Sequence, residues 1–120
     1  LPASACGMLS MGVLNLNNMR DIENDQQMGK HTIPVKIGLS LAKYYHYLLI
    51  IIAMCLMMLY TILTFEFRYK ALYIIAFVPL VFHLFYVRAV KEPKAFDSQL
   101  KVVALSTFLM SVLFFVGKLI

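Results

Sequence analysis

The chain has 120 residues, 62% of them hydrophobic and only 14% charged, with a formal net charge of +5. A soluble domain carries roughly 45–50% apolar and about 25% charged residues, so this composition argues against a water-soluble globular domain and makes lipid the natural solvent. The charge comes in blocks between apolar runs, so the positive balance reads as a topology signal and gives no reason to invoke nucleic acid.

The first run, residues 1–16, is uncharged and rich in small residues, among them Ala3, Ser4, Ala5, Gly7, Ser10 and Gly12. Small residues let membrane helices approach closely, which predicts a membrane helix over about 1–19 packed against protein on at least one side. The chain opens inside this run at Leu1, with neither an initiator Met nor a signal-peptide pattern, and is expected to be the later part of a longer membrane protein. A polar stretch, 20–43, follows as an expected surface loop, with Gly29 as a helix C-cap and Pro34 as a bar to straight continuation.

The second run, 44–65, has no formal charge, and the third, 71–87, approaches the length needed for a hydrocarbon core of roughly 30 Å. The fourth, 102–117, is shorter, and its flanking Lys101 and Lys118 can snorkel to the interfaces. Tyr44, Tyr45, Tyr69 and Tyr86 fall at run boundaries, as an aromatic belt requires. Pro79 is expected to kink the third helix, and His83 to hydrogen-bond to a neighbouring helix. Met54, Met57 and Met58 read as helix packing, and Cys6 and Cys55 as small buried residues without disulfide or metal spacing. The predicted fold is all-α, a polytopic transmembrane bundle with four helices in this chain. Arg20, Lys30, Lys36 and Lys43 share one side with Arg88, Lys91, Lys94 and Lys101, against Arg68, Lys70 and Lys118 opposite, which puts the polar stretch in the cytoplasm.

That stretch contains the residues that carry chemistry. Asn17, Asp21 and Asp25 are spaced four apart and, on a helix, line one face. Such a row of oxygens suits a hard cation such as Mg²⁺, especially one already bound to a diphosphate, with Arg20, Lys30 and Lys36 at hand for the remaining negative charge. The bland alternative is an ordinary solvated loop, in which His31 and its neighbours simply face water. A calcium loop fails, because Gln26 stands where the EF-hand needs glycine and Thr32 where it needs glutamate. A Walker loop fails for lack of an upstream glycine before Gly29-Lys30-His31-Thr32.

The pattern Asn17-Asn18-x-Arg20-Asp21-x-x-x-Asp25-x-x-x-Gly29-Lys30-x-Thr32, followed by Val35-Lys36-Ile37-Gly38, resembles the second aspartate-rich motif of the UbiA superfamily of membrane prenyltransferases. It is most similar to the branch that prenylates 1,4-dihydroxy-2-naphthoate on the way to menaquinone. The resemblance implies a nine-helix fold around a lipid-open cavity, of which this chain would supply helices six to nine. It implies Mg²⁺ as cofactor, held with diphosphate by Asp21 and Asp25, and a catalytic part for Asp21, Asp25 and Lys30. Asn17, Asn18, Arg20, Lys30 and Lys36 would contact substrate. The implied partners are a polyprenyl diphosphate, an aromatic acceptor, the lipid bilayer and the preceding helices of the same protein, in a bacterial inner (plasma) membrane. The family's first Asp-rich motif is not in this chain, so these 120 residues alone are expected to be inactive. Two alternatives stay open: a superfamily enzyme using 4-hydroxybenzoate, haem or a chlorophyll precursor, and a transporter or channel subunit with a cation-binding loop.

Overall fold

The computed structural model describes residues 1–64 and 69–120. The expected end of the second run at Phe65, and Arg68 of the charge count, lie outside the described residues. Five α-helices account for most of the chain: α1 (Pro2–Arg20), α2 (Ile22–Gln27), α3 (Ile33–Thr64), α4 (Phe77–Ala89) and α5 (Asp97–Leu119). A 3₁₀ helix, Tyr69–Ala76, leads into α4, and a short one, Pro93–Phe96, leads into α5. There is no strand among the described residues, and the bundle measures 51 × 21 × 19 Å, its long axis close to the length of α3.

Three stretches are long and apolar enough to cross a membrane: Ile33–Thr64, Ala71–Ala89 and Pro93–Leu119. α1, expected as a fourth span, falls short of that measure, because Asn15, Asn17 and Asn18 and several small residues dilute its apolar content. It packs along α3 and α5 through a seam of Ala5, Leu9, Gly12, Leu16 and Met19, spaced alternately four and three. Gly12 is what lets α3 come so near: a Cβ there would stand 3.1 Å from Ile50 Cδ1 and 3.5 Å from His46 Cε1. Ala3, Ser4, Gly7 and Ser10, on the other side of α1, are exposed.

The polar stretch expected as a loop over 20–43 is mostly helical, and this corrects the sequence reading. α3 begins at Ile33, with Pro34 in its first turn, where the missing N–H costs no hydrogen bond. The break comes four residues later at Gly38, whose φ of 82° only glycine adopts readily. Similarly, α5 starts five residues before the expected 102, because Asp97, Ser98 and Gln99 form its first turn. Pro79 lies in the first turn of α4, just past the change from 3₁₀ to α geometry, so it sits at a helix start rather than at a mid-helix kink. The cysteines are unpaired as expected, but Cys6 is half-buried and Cys55 is exposed on the apolar surface of α3.

Buried polar groups tie the spans together. His46 on α3 and His83 on α4 meet Nε2 to Nε2 at 2.7 Å, and His83 Nδ1 lies 2.7 Å from Gln99 Oε1 on α5. With that amide oxygen as acceptor, His83 carries its proton on Nδ1 and accepts at Nε2 from His46. At the other end of the bundle Tyr73 donates to Met57 O at 2.9 Å and meets Thr61 Oγ1 at 2.6 Å.

Candidate functional site

The motif residues gather where α1 ends, α2 turns and α5 begins. Although α1 stops at Arg20, the helical ladder runs on: Asp21 N donates to Asn17 O at 3.1 Å, and Asp25 N to Asp21 O at 2.8 Å. Asn17, Asp21 and Asp25 therefore follow one another at single-turn intervals.

Arg20 is the hub. Its Nε and Nη2 each donate at 2.8 Å to the two oxygens of Asp21, a bidentate pair, while Nη2 also reaches Asn17 Oδ1 at 2.9 Å and Nη1 reaches Asp97 Oδ1 at 2.7 Å. The hydrogen bonds from Arg20 hold the Asp21 carboxyl below its usual range against partial burial, with Lys30 adding a smaller attraction. The guanidinium is in turn held more firmly protonated, chiefly by Asp21 and then by Asp97.

Asp25 and Lys30 form a second pair, built by the turn between them. Gly29, at φ 69°, closes α2 with a Schellman motif, in which Lys30 N donates to Asp25 O at 2.9 Å and Gly29 N to Gln26 O at 3.2 Å. That wrap returns the Lys30 side chain onto its partner, Nζ to Asp25 Oδ1 at 2.9 Å. The Asp25 side chain is 6% exposed and that of Lys30 58%, so the lysine covers the acid from the solvent side. Asp25 raises the affinity of Lys30 for its proton. Among the other expected residues, Asn18 is half-buried and Lys36 exposed in the first turn of α3; neither shows a side-chain hydrogen bond among the described residues.

Two hollows border the cluster. A polar cavity of about 340 Å³ is walled by Arg20, Asp21, Glu23, Asn24, Glu92 and Lys94, among others. A mainly apolar hollow of about 520 Å³ runs between α1 and α5, lined by Val13, Leu14, Leu100 and Ala104, with Ser10, Asn17 and Lys101 as polar members. Asn17 thus belongs both to the charged network and to the border of an apolar hollow. Asp97 and the lining residues of α5 escaped sequence reasoning. They lie some 77 positions from Arg20, where no local periodicity reports on pairing.

The oxygens at hand are hard ones, those of the Asp21 carboxylate and the Asn17 amide, each accepting from Arg20. No group of three or more His, Cys, Asp or Glu able to cage a metal occurs among the described residues. A fully protein-made site is therefore not what this cluster offers. A cation here would take at most one or two carboxylates from the protein and leave the rest of its shell to water or phosphate oxygens.

The UbiA prenyltransferase family model matches residues 1–113. The chain is 33% identical over 117 residues to the 1,4-dihydroxy-2-naphthoate octaprenyltransferase of Escherichia coli (strain K12), which covers 98% of this chain and 38% of that protein. It is 32% identical over 120 residues to the Haemophilus influenzae protein of the same name, covering 100% of this chain and 39% of the relative. No solved structure matches. With a helical membrane bundle, a motif-bearing helix end that borders an apolar hollow through Asn17, and a family match along nearly its whole length, the chain belongs to the UbiA prenyltransferase family.

Proposed function

We propose that the chain is part of an Mg²⁺-dependent integral membrane enzyme that transfers a polyprenyl group from an allylic diphosphate to 1,4-dihydroxy-2-naphthoate. The observation that carries this reading is the double role of Asn17, hydrogen-bonded to Arg20 on one side and lining the α1–α5 hollow on the other. A substrate with a charged head and a long apolar tail needs such a junction. The names of the relatives supply the acceptor, and the chain spans about two-fifths of their length.

Asp21 and Asp25 would hold the cation, which, when bound, offsets charge building on the departing diphosphate. Arg20, Lys30 and Lys36 bring positive charge to the same head. In the structure Arg20 and Lys30 are occupied by Asp21 and Asp25, so head-group binding requires them to exchange carboxylate for phosphate oxygens. Apolar walls such as Val13, Leu14 and Leu100 keep water from the allylic carbon once its bond to oxygen breaks. The new carbon–carbon bond forms to the acceptor ring as its carboxylate leaves as CO₂. The excess of basic residues at this end supports a cytoplasmic position for the head-group site, in what we take to be a bacterial inner membrane.

The test is Mg²⁺-dependent prenyl transfer by the full-length protein with 1,4-dihydroxy-2-naphthoate or 4-hydroxybenzoate as acceptor. Asp21→Asn and Asp25→Asn should each lower turnover by about 100-fold or more, the usual scale for losing one electrostatic stabiliser of a transition state. Robust transfer by both variants would remove the site, and preference for 4-hydroxybenzoate would move the chain to another branch of the family.

A further inference from the structure

A third cation-bearing hollow lies on a different pair of helices, away from the α1–α5 hollow. Ser40, Lys43, Tyr44 and Tyr47 on α3 and Arg88 on α4 enclose a cavity of about 440 Å³. It has two cations and three hydroxyls, and no Asp or Glu among its lining residues. Lys43 is anchored through Nζ to Val90 O and lies 5.8 Å from the centre of the Phe96 ring, which leaves the ammonium two further protons to donate. Arg88, exposed in the last turn of α4, has no hydrogen-bond or ion-pair partner among the described residues. The break at Gly38 restarts α3, so Ser40 falls in the first turn of the long helical run, where the backbone dipole favours negative charge.

Tyr47 and Arg88 also line the neighbouring cavity of about 290 Å³, which continues down the α3–α4 seam between Ile51, Val81, Leu84 and Phe85. Ile51 and Phe85 are 47% and 65% exposed, so this groove opens sideways toward the surrounding medium. From residue 43 to 51 along α3 the groove runs roughly 12 Å, enough for the upper half of an acyl chain.

We propose that the Lys43–Arg88 cavity and the apolar α3–α4 groove below it together bind one anionic phospholipid, phosphate at Lys43 and Arg88 and one acyl chain against Ile51, Val81 and Phe85. A phosphodiester needs only cations and hydroxyls, which this cavity provides. A prenyl diphosphate arriving with its divalent cation needs carboxylates, which this cavity lacks. Two basic residues at tyrosine height between membrane helices match the chemistry of a headgroup pocket at the membrane interface.

Native mass spectrometry of the full-length protein tests this, in micelles holding equal amounts of phosphatidylglycerol and phosphatidylcholine with identical chains. Wild type should retain phosphatidylglycerol preferentially, and Arg88→Gln should cut that preference by about fivefold, the scale for one basic residue at a membrane surface. Arg88→Lys should keep most of it, Ile51→Trp should lower retention of both lipids by filling the groove, and Asp21→Asn should leave binding intact. Equal retention of the two lipids by wild type, or an Arg88→Gln protein indistinguishable from it, would overturn the proposal. So would displacement of the lipid by geranyl diphosphate with Mg²⁺, which assigns the pocket to the prenyl donor, or by inorganic phosphate alone, which assigns it to a free anion.

Discussion

The bundle uses polar groups in two ways, and the contrast separates function from architecture. At the α1–α5 junction, charged residues are paired but reachable: side chains of Arg20, Asp21 and Asp97 are 27%, 34% and 70% exposed. Ion pairs this wet contribute only about 0–1 kcal/mol each, so they can be exchanged for a substrate's charges at small cost. In the spans, His46, His83 and Gln99 are buried and directly bonded in a row, so a lost partner leaves a buried polar atom unpaired. The first arrangement opens at small cost, the second only at a large one.

The sharpest way to break this comparison is His83→Ala, which strands His46 Nε2 and Gln99 Oε1 and opens a cavity where three helices meet. It should cost about 3 kcal/mol, read from thermal unfolding of the full-length protein in detergent, while leaving the motif residues in place. A loss as small as that of a surface variant would mean the histidines are not a structural tie. Gly29→Ala comes next. Its Cβ meets nothing within 4 Å, so the cost is purely that of a left-handed backbone, about 1 kcal/mol, and the Asp25–Lys30 pair should loosen with it. That loosening is measurable as faster proteolysis within the Gln27–Lys30 turn.

Asp97→Asn should have the smallest effect, at most about 0.5 kcal/mol, and should vanish in high salt. The same network has a pH signature. Arg20 lowers the folded-state pKa of Asp21, so this contribution is present above the ordinary carboxylate range and is lost as acidification passes the folded value. Melting temperature should fall between about pH 5 and 2 in wild type, less so in Asp21→Asn. An identical acid profile in the two would show that the carboxylate is not engaged in solution.

Much of the fold was legible locally. Runs of apolar residues marked the spans, small residues marked α1 as a packed helix, and Gly29 marked the end of α2. The start of α5 was misjudged because polar residues, Asp97 to Gln99, form its first turn, and that of α3 because Pro34 reads as a bar to the helix although a first-turn proline loses no hydrogen bond. His83 was readable as a histidine hydrogen-bonded to a neighbouring helix, but not its partner: His46 lies 37 positions away on another helix, beyond the reach of local spacing.

What the sequence determined by itself is the solvent, the helical class and the order Asn17, Asp21, Asp25 along one turn-by-turn row, since each follows from composition or from short-range spacing. The tertiary structure alone decided that Arg20 reaches Asp97, that Asn17 borders the α1–α5 hollow, and that Lys43 and Arg88 share a cavity. Those contacts join residues tens of positions apart, and only the packing of α1, α3, α4 and α5 against one another, set by seams of small and complementary side chains, brings them within reach.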